Sequence, residues 1–215
     1  MGFLDDHRTF WREFRGNFHT TGAVMPSGRS LARKLARYVA NEGADAERRI
    51  LEVGPGTGAV TQAIIRSLGS NSTLDLVELN DQFVESLRRR FEFDEGWKAV
   101  AARATILHKS VQDLPDESRY DAIVSGLPLN NFDVASVESI LSKLRQLTAP
   151  GGTLSFFQYI AVRRAKVALS GREQRQRLRG VGRAMDELLG PHEFRREAVL
   201  ANVPPAWVHH LRFDD

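Results

Sequence analysis

A short run of alternating glycines contains the residues of this sequence that are best suited to bind a reactive cofactor. Gly54, Gly56 and Gly58 follow the apolar segment 50–53, in which Glu52 is the only acidic residue. Glycine is needed where a backbone turns sharply from a strand into a helix and where a ligand must approach without an intervening side chain. The spacing therefore predicts a loop that holds a nucleotide cofactor.

The loop by itself fits two classes of cofactor. Gly54, Gly56 and Ala59 also have the spacing that is typical of nicotinamide dinucleotide enzymes. Glu78 ends a second apolar segment, 20 residues after Gly58, and a carboxylate there can bind both ribose hydroxyls of an adenosine in either class. These residues alone leave a nicotinamide oxidoreductase open.

The elements that must position these residues alternate between strands and helices. The alternation indicates an α/β fold with a parallel sheet and a ligand at the carboxyl ends of its strands. The final two strands, joined through residues 203–205, are expected to pair as an antiparallel hairpin. Apolar periodicity predicts helices at 3–18, 28–41, 58–68, 81–92 and 133–147, a long basic helical region at 162–189, and strands at 49–53, 73–79, 104–108, 121–124, 153–159, 194–202 and 206–213.

Composition excludes several kinds of protein. The 215 residues suffice for one well-cored domain and are few for two. The sequence has no cysteine, which excludes disulfides, thiolate zinc sites and cysteine nucleophiles. Its six histidines are scattered, and we expect no metal. No apolar run approaches the ~20 residues of a membrane-spanning helix, and the first residues do not form a signal peptide, so we expect a soluble, cytosolic protein.

The net charge of +3 conceals two basic segments. Between positions 8 and 37 the sequence has seven lysines and arginines and one acidic residue. Between positions 163 and 183 it has eight lysines and arginines and one acidic residue. Segregated basic segments indicate an anionic partner, either phospholipid headgroups or nucleic acid. The second segment has the pattern of a solvated helix or of a basic flap beside the pocket, and the sequence leaves both open.

The first predicted helix has the pattern of a helix that lies on a membrane surface. Its apolar positions fall within an arc of about 120° on a helical wheel, with arginines along one flank. Such a helix places aromatic rings at the acyl boundary and guanidinium groups on lipid phosphates, although a helix docked on its own domain has a similar pattern. The arc holds Phe3, Leu4, Phe10, Trp11, Phe14 and Phe18, and the flank holds Arg8, Arg12 and Arg15.

In their order along the chain, the motifs resemble those of class I S-adenosylmethionine-dependent methyltransferases. Over nearly the full length they resemble the bacterial phospholipid N-methyltransferase family, through segments 21–27, 50–58, 77–80, 125–129 with 131–132, and 202–208. The resemblance implies an amphipathic membrane-binding helix and lid at 1–30. It also implies one Rossmann-like domain at 31–215, with a mostly parallel seven-stranded sheet that ends in an antiparallel hairpin.

The same resemblance implies a function and its cofactor. S-adenosylmethionine would be the cofactor and S-adenosylhomocysteine the product. The acceptors would be the amine of phosphatidylethanolamine and its mono- and dimethylated forms, at an anionic membrane surface on the cytoplasmic face of the inner membrane. We therefore expect a phospholipid substrate and an anionic bilayer as partners, with phosphatidylcholine or its precursors as the lipid product.

The resemblance also assigns residues to the cofactor. Ser110 departs from the family pattern, because an aspartate that receives the adenine amino group commonly stands there. A serine hydroxyl can accept that hydrogen bond only as a neutral group. The residues assigned to the cofactor are Glu52, Gly54, Gly56, Thr57, Gly58, Glu78, Leu79, Ser110, Val111 and Ser125, with Met25 and Ser27 from the lid.

Methyl transfer to an amine needs positioning and loss of a proton more than a strong base. We assign hydrogen-bonding roles toward the amine to the backbone carbonyls of Ser125 and Gly126 and, as candidates, to the side chains of His19 and Tyr159. Tyr159 ends the fifth strand, where its ring could also face a methylated ammonium. The two arginines that follow, Arg163 and Arg164, are predicted to bind the lipid phosphate.

The motif after the fourth strand bears on the choice of acceptor. Methyltransferases that act on base amines carry Asn or Asp there, followed by proline and an aromatic ring that stacks the base. Here Gly126 and Leu129 stand in place of the Asn and Tyr of ribosomal RNA adenine dimethylases. The departure favours a lipid amine over a nucleobase. An RNA or DNA methyltransferase and a peripheral membrane-binding or membrane-remodelling protein without enzyme activity remain the alternatives.

Overall fold

A computed structural model describes residues 28–40, 47–160 and 172–214 of the chain. One mixed sheet lies at its centre, with strands in the order β3-β2-β1-β4-β5-β7-β6. Its strands are β1 (Arg49–Val53), β2 (Thr73–Glu78), β3 (Ala104–His108), β4 (Tyr120–Ser125), β5 (Thr148–Tyr159), β6 (Glu193–Val199) and β7 (Ala206–Arg212).

Helices connect the strands and cover both faces of the sheet. The polar side chains of Asn80 and Asp133 cap the third and fifth of them by accepting hydrogen bonds from backbone N–H groups of the first turn. The helices are α1 (Arg29–Leu35), which continues as the 3₁₀ turn Ala36–Tyr38, then α2 (Ala59–Ser67), α3 (Asp81–Phe93), α4 (Glu95–Lys98), α5 (Val134–Leu147) and α6 (Arg172–His192).

The pairing of the strands confirms the predicted fold class. Strands β1 to β5 pair in parallel, whereas β7 is antiparallel to both β5 and β6. The strand order reverses between β1 and β4, and in sheets of this kind ligands bind at the carboxyl ends of the strands beside that reversal. The glycine loop, which follows β1, lies at that point.

Several predicted boundaries differ from the structure. Strand β6 ends at Val199 instead of residue 202, because the chain turns there to reach two prolines and a cis peptide bond between Val203 and Pro204. Strand β5 begins at Thr148, where the sequence Ala-Pro-Gly-Gly predicts a loop, and its pairing with β4 shifts register there. The short helix α4 is absent from the prediction because four residues are too few to show a helical period.

Helix α1 belongs to the core of the domain. Leu31 and Leu35 are 0% exposed and pack in the apolar layer that lies between α1, α2 and one face of the sheet. The Arg37 guanidinium also pairs with the Glu197 carboxylate on β6 at 2.7 Å, and Lys34 Nζ donates to the carbonyl of Ala198 at 2.9 Å. The helix is thus held by apolar burial and by polar contacts to the edge strand.

The adjacent histidines of β7 face opposite sides of the sheet. His209 stacks on Phe156 and contacts Glu193 at 2.6 Å, whereas His210 contacts the Ser155 hydroxyl at 2.8 Å and packs on Tyr38. Burial lowers the pKa of both imidazoles, that of His210 to about 4. They are neutral packing residues at neutral pH.

The described helices and acidic side chains bear on membrane spanning and metal binding. Within residues 28–40, 47–160 and 172–214, none of the helices is both apolar enough and long enough to span a bilayer. The same ranges hold no cluster of three or more histidine or acidic side chains arranged to bind a metal ion.

Replacing Leu31 by alanine is expected to lower the free energy of unfolding by about 2–5 kcal/mol, because it opens a cavity in a fully buried layer. Arg33→Ala, on the exposed face of the same helix, should change it by less than about 0.5 kcal/mol. Urea unfolding of both variants measures the difference. Equal, small losses would show that α1 is not part of the folded core.

Candidate active site

The loop between β1 and α2 has a backbone that glycine adopts far more readily than other residues. Gly54, Gly56 and Gly58 have φ angles of 70°, 55° and 80°, in the left-handed region. A Cβ atom on Gly54 would lie 2.6 Å from the side chain of Leu127, and one on Gly58 would lie 2.6 Å from the ring of Trp97. Conformation and close packing together explain why glycines stand there.

Polar and aromatic side chains support the loop from behind Gly58. Arg90 of α3 donates to the carbonyl of Thr57 at 3.2 Å, and its guanidinium lies 4.0 Å from the centre of the Trp97 ring. The indole N–H of Trp97 donates in turn to the side-chain carbonyl of Gln62 at 2.9 Å. These contacts fix the start of α2, whose first N–H groups point toward the loop.

Glu78, the last residue of β2, ties the glycine loop to the next strand. Its Oε2 accepts from the N–H of Gly56 at 3.0 Å, and its Oε1 accepts from those of Leu79 and Asn80 at 2.8 and 2.9 Å. Burial raises the pKa of this carboxyl, and the three N–H donors oppose the rise. Each carboxylate oxygen has two acceptor sites, so Oε2 retains one that could bind a ribose hydroxyl.

Glu52 lies beneath the loop as a buried carboxyl. Neither of its oxygens has a hydrogen bond of ordinary geometry to the described residues, and the same holds for the hydroxyl of Thr61. Burial raises the pKa of Glu52 to about 8; the neighbouring Thr61 lowers it, and the charge of Glu78 raises it further. A buried acid with unpaired oxygens fits a site that is completed by a polar ligand or by bridging water.

A small cleft opens beside the loop at the carboxyl ends of β1, β2 and β3. It brings together Gly54, Glu78, Leu79, Ser110 and Val111 from the predicted cofactor set. Glu52 and Ser125 are buried, and Gly56, Thr57 and Gly58 continue the loop without lining the cleft. An open backbone, a carboxylate at the end of β2 and small polar groups after β3 fit the adenosine part of S-adenosylmethionine.

The hydroxyl of Ser110 donates to the side-chain carbonyl of Gln112, so its lone pairs remain able to accept a hydrogen bond from an adenine amino group. Gln112 was not predicted as a site residue. Its amide nitrogen is buried and lacks a partner among the described residues. The cleft residue Ser110 is therefore supported by a polar side chain that no motif of the sequence indicates.

The cleft contains four further residues that the sequence did not assign to the cofactor, although three of them lie within the segments that carry the family resemblance. Val53, Val77, Lys109 and Leu127 line it. The two valines are strand residues whose alternation marks them as core, and only the three-dimensional position of their strand ends brings them to the ligand. Leu127 lies in segment 125–129, beside predicted Gly126, and this membership is the signal that could have identified it.

Ser125 and Gly126 lie at the end of β4, directly beside the loop. The N–H of Gly126 donates to the carbonyl of Val53 at 2.8 Å, and a Cβ atom on Gly126 would lie 2.6 Å from the backbone oxygen of Gly54. The Ser125 hydroxyl is buried and accepts from the N–H of Leu127 at 3.4 Å. Two strand ends thus meet by backbone contact, with no room for a side chain at position 126.

Tyr159 is the last residue of β5, and its ring packs edge-on against Phe157 at 5.1 Å. It is half-buried, and burial raises the pKa of its phenol, so the hydroxyl is neutral at neutral pH. The remaining predicted residues lie outside the described ranges: His19, Met25 and Ser27, the phosphate-binding Arg163 and Arg164, and Phe3, Arg8, Phe10, Trp11, Arg12, Phe14, Arg15 and Phe18 of the membrane helix.

The packing of Gly58 predicts a difference between two glycine variants. Gly58→Ala should lower the unfolding free energy by more than Gly56→Ala. Both substitutions cost about 1–2 kcal/mol for the left-handed conformation, whereas only the first also pushes a methyl group into Trp97; nothing lies within 4 Å of a Cβ at position 56. Urea unfolding without cofactor measures both variants, and an equal loss would contradict the packing argument.

The raised pKa of Glu52 predicts a pH dependence of stability. Between the ordinary carboxyl pKa of 4.5 and about 8 the folded state holds a proton on Glu52 that the unfolded state has lost, so the stability contributed by this carboxyl falls as pH rises, at ~1.4 kcal/mol per pH unit at most. Below about pH 6.5 the lowered pKa values of His209 and His210 give a slope of opposite sign. Glu52→Gln should therefore remove the Glu52 slope in urea unfolding between about pH 6.5 and 8. Glu95→Gln, at an exposed position, should retain it, and an unchanged slope in Glu52→Gln would contradict the assignment.

Comparisons with known proteins agree with this geometry. A family model described as a methyltransferase domain matches residues 50–152, from β1 into β5. Ornithine lipid N-methyltransferase of Singulisphaera acidiphila is 28% identical over 146 residues, which are 66% of this chain and 74% of that protein. Malonyl-(acyl-carrier protein) O-methyltransferase of Halalkalibacterium halodurans is 26% identical over 154 residues, which are 70% of this chain and 55% of that protein.

Solved structures share the fold at low sequence identity. An O-methyltransferase from Bacillus cereus, solved in complex with S-adenosylhomocysteine, superposes with a TM-score of 0.65 and 16% identity, over 95% of this chain and 90% of that one. The sheet order, the glycine loop with Glu78 and the family match agree: residues 50–152 form a methyltransferase domain of Rossmann-like fold, and its cofactor is S-adenosylmethionine.

Proposed function

We propose that this enzyme transfers methyl groups to the amine of phosphatidylethanolamine and of its mono- and dimethylated forms, at the surface of an anionic membrane. The observation that carries the proposal is the contact between Gly126 and the glycine loop. Because a Cβ at position 126 would lie 2.6 Å from the Gly54 oxygen, this backbone cannot accommodate the Asn or Asp that base-methylating enzymes use. The substrate side of the cleft is therefore suited to an amine without a base.

A lipid acceptor is also supported by one of the relatives. The Singulisphaera protein is named for N-methylation of ornithine lipid, and it aligns with 66% of this chain. The Halalkalibacterium protein, at a similar identity, is named for O-methylation of malonyl-(acyl-carrier protein). An N-methyltransferase that acts on a lipid matches the proposed chemistry in both the acceptor atom and the class of substrate.

S-adenosylmethionine, when bound, supplies a methyl group on a sulfonium that an unprotonated amine can attack. The chain's own task is to bind, orient and desolvate that amine. The backbone carbonyls of Ser125 and Gly126, at the end of β4, are proposed to accept hydrogen bonds from it, as carbonyls at a strand end beside the loop can do. The raised pKa of Glu52 keeps that carboxyl protonated below about pH 8, so the site beneath the loop carries less negative charge than its sequence indicates.

Tyr159 is proposed to contact the amine through its ring and its neutral hydroxyl. Because burial raises the pKa of its phenol, a phenolate base at neutral pH is disfavoured. A tyrosine ring attracts a methylated ammonium by about 0.5–2 kcal/mol. As methyl groups replace N–H donors, the amine loses hydrogen bonds and the attraction to the ring becomes a larger share of its binding. The ring would thus retain partly methylated lipid at the site.

The residues outside the described ranges are proposed to link this site to the bilayer. Arg163 and Arg164 follow β5 within four or five residues of Tyr159, a distance that suits them to the lipid phosphate. The aromatic and arginine positions of segment 3–18 would lie in the interface, on the cytoplasmic face of the inner membrane. Met25 and Ser27 would close over the cofactor, and His19 would lie near the amine.

Transfer of labelled methyl from S-adenosylmethionine to lipid vesicles tests the proposal. We expect label in mono-, di- or trimethylated phosphatidylethanolamine, with a higher rate when phosphatidylglycerol is present, because anionic lipid attracts the basic segments. Parallel reactions contain ornithine lipid, malonyl-loaded acyl-carrier protein or duplex RNA as the acceptor. Glu78→Gln serves as the variant with impaired cofactor binding.

The outcomes separate the alternatives. Label in phosphatidylethanolamine that is lost in Glu78→Gln supports the proposal. Label confined to ornithine lipid, to the carrier protein or to RNA would overturn the proposal and identify that molecule as the acceptor. Vesicle binding that is unaffected by Glu78→Gln, together with no transfer to any acceptor, would favour a membrane-binding protein without this activity.

A further inference from the structure

The turn between β6 and β7, residues 200–205, exposes apolar side chains. Leu200 is 73% exposed and Val203 68% exposed, and the described part of the chain has only two other large apolar side chains with comparable exposure, Phe93 and Phe194. Two prolines stiffen the turn, which also contains the cis bond before Pro204. Exposed leucine and valine on a stiff turn cost solvation free energy unless a partner covers them.

The position of this turn connects it to the active site. Strand β7 starts at Ala206, which pairs with Tyr159 at the end of β5, and the N–H of Ile160 donates to the carbonyl of Pro205 at 2.9 Å. The turn therefore lies at the carboxyl edge of the sheet, the edge that carries the glycine loop and the end of β4. A substrate that enters the site from this edge passes close to the turn.

The turn is also joined to the start of α1. The N–H of Gly28 donates to the side-chain carbonyl of Asn202 at 3.1 Å, and the amide nitrogen of Asn202 donates to the carbonyl of Pro204 at 2.8 Å. The amphipathic segment of the sequence, residues 3–18, precedes Gly28 by only ten residues. The turn and Gly28, at the start of α1, are thus fixed to each other by one side chain.

The charge around the turn suits an anionic surface. Arg29 and Arg33 lie one helical turn apart on the exposed side of α1, next to the Gly28 contact. Exposed arginines beside an apolar tip match the two components of interfacial binding, which are burial of apolar area and attraction to lipid phosphates. A protein partner would require a broader complementary surface. Binding to a bilayer requires only a few apolar side chains, such as Leu200 and Val203, with positive charge beside them.

From these observations we infer that the 200–205 turn is a second membrane contact, in which Leu200 and Val203 enter the acyl boundary of an anionic bilayer while Arg29 and Arg33 bind headgroup phosphates. For its role in catalysis the inference rests on the proposed lipid substrate. The contact orients the carboxyl edge of the sheet toward the bilayer, so that a lipid amine reaches the end of β4 without leaving the membrane.

Co-sedimentation of the full chain with vesicles of phosphatidylethanolamine and phosphatidylglycerol tests the contact. The double variant Leu200→Ser with Val203→Ser should bind these vesicles about tenfold more weakly than the wild type, because two apolar side chains no longer enter the bilayer. Phe93→Ser is the matched control: this ring is 70% exposed on the helix that joins β2 to β3, at the other end of the strand order. Its affinity should stay within about twofold of the wild type.

A charge variant tests the flank separately. Arg29→Gln with Arg33→Gln should weaken binding to vesicles that contain phosphatidylglycerol and leave the residual binding less dependent on salt. Vesicles in which phosphatidylcholine replaces phosphatidylglycerol should bind the charge variant and the wild type alike. A charge variant that retains wild-type affinity for the anionic vesicles would contradict the assignment of the arginines to headgroups.

Independent readouts separate this inference from the proposed function. Each variant should bind S-adenosylhomocysteine as the wild type does, which shows that the site is intact. The serine double variant should methylate vesicle lipid slowly and a short-chain, monomeric phosphatidylethanolamine at the wild-type rate. Wild-type vesicle binding by this variant, or a change only in its oligomeric state, would overturn the inference. The serine double variant could bind vesicles more weakly while the wild type methylates no lipid. That result would support the membrane contact and reject the proposed substrate.

Discussion

The close backbone approach of three strand ends around the glycine loop is the constraint on which the rest of the structure depends. The N–H of Gly54 donates to Val77 of β2, and that of Gly126, after β4, donates to Val53 of β1. Glu78 closes the arrangement by accepting from the N–H of Gly56. No side chain fits between these segments, so the loop has one conformation, and it presents its remaining N–H groups and an open backbone to a ligand.

This arrangement also shows which parts of the site the sequence could predict. Glycine spacing and the acid at the end of the second strand are local patterns with a direct physical cause, and the cleft brings Gly54 and Glu78 together. Lys109 has no such pattern, because its place in the cleft follows from how the strand ends converge. The support of the loop by Arg90 and Trp97 joins residues that are more than 30 positions from the loop's glycines, a pairing that periodicity does not encode.

The same distinction holds for the fold. Alternating strands and helices predicted a mostly parallel sheet with a final hairpin, because each element has its own apolar period. The boundaries of β5 and β6 depend instead on pairing with neighbouring strands, and so the sequence placed them several residues away. One consequence of the actual pairing concerns position: β7 begins opposite Tyr159, and this brings the apolar turn 200–205 and the start of α1 to the carboxyl edge of the sheet, where we propose that the amine binds.

Titration of S-adenosylhomocysteine into the protein, with NAD as competitor, tests the central claim that the glycine loop and Glu78 form the cofactor site. We expect that S-adenosylhomocysteine binds, that NAD does not displace it, and that Glu78→Gln weakens its binding by about tenfold or more, through loss of a charged hydrogen-bond acceptor worth ~1.5–3 kcal/mol. Unchanged affinity in Glu78→Gln, or displacement by NAD, would contradict it.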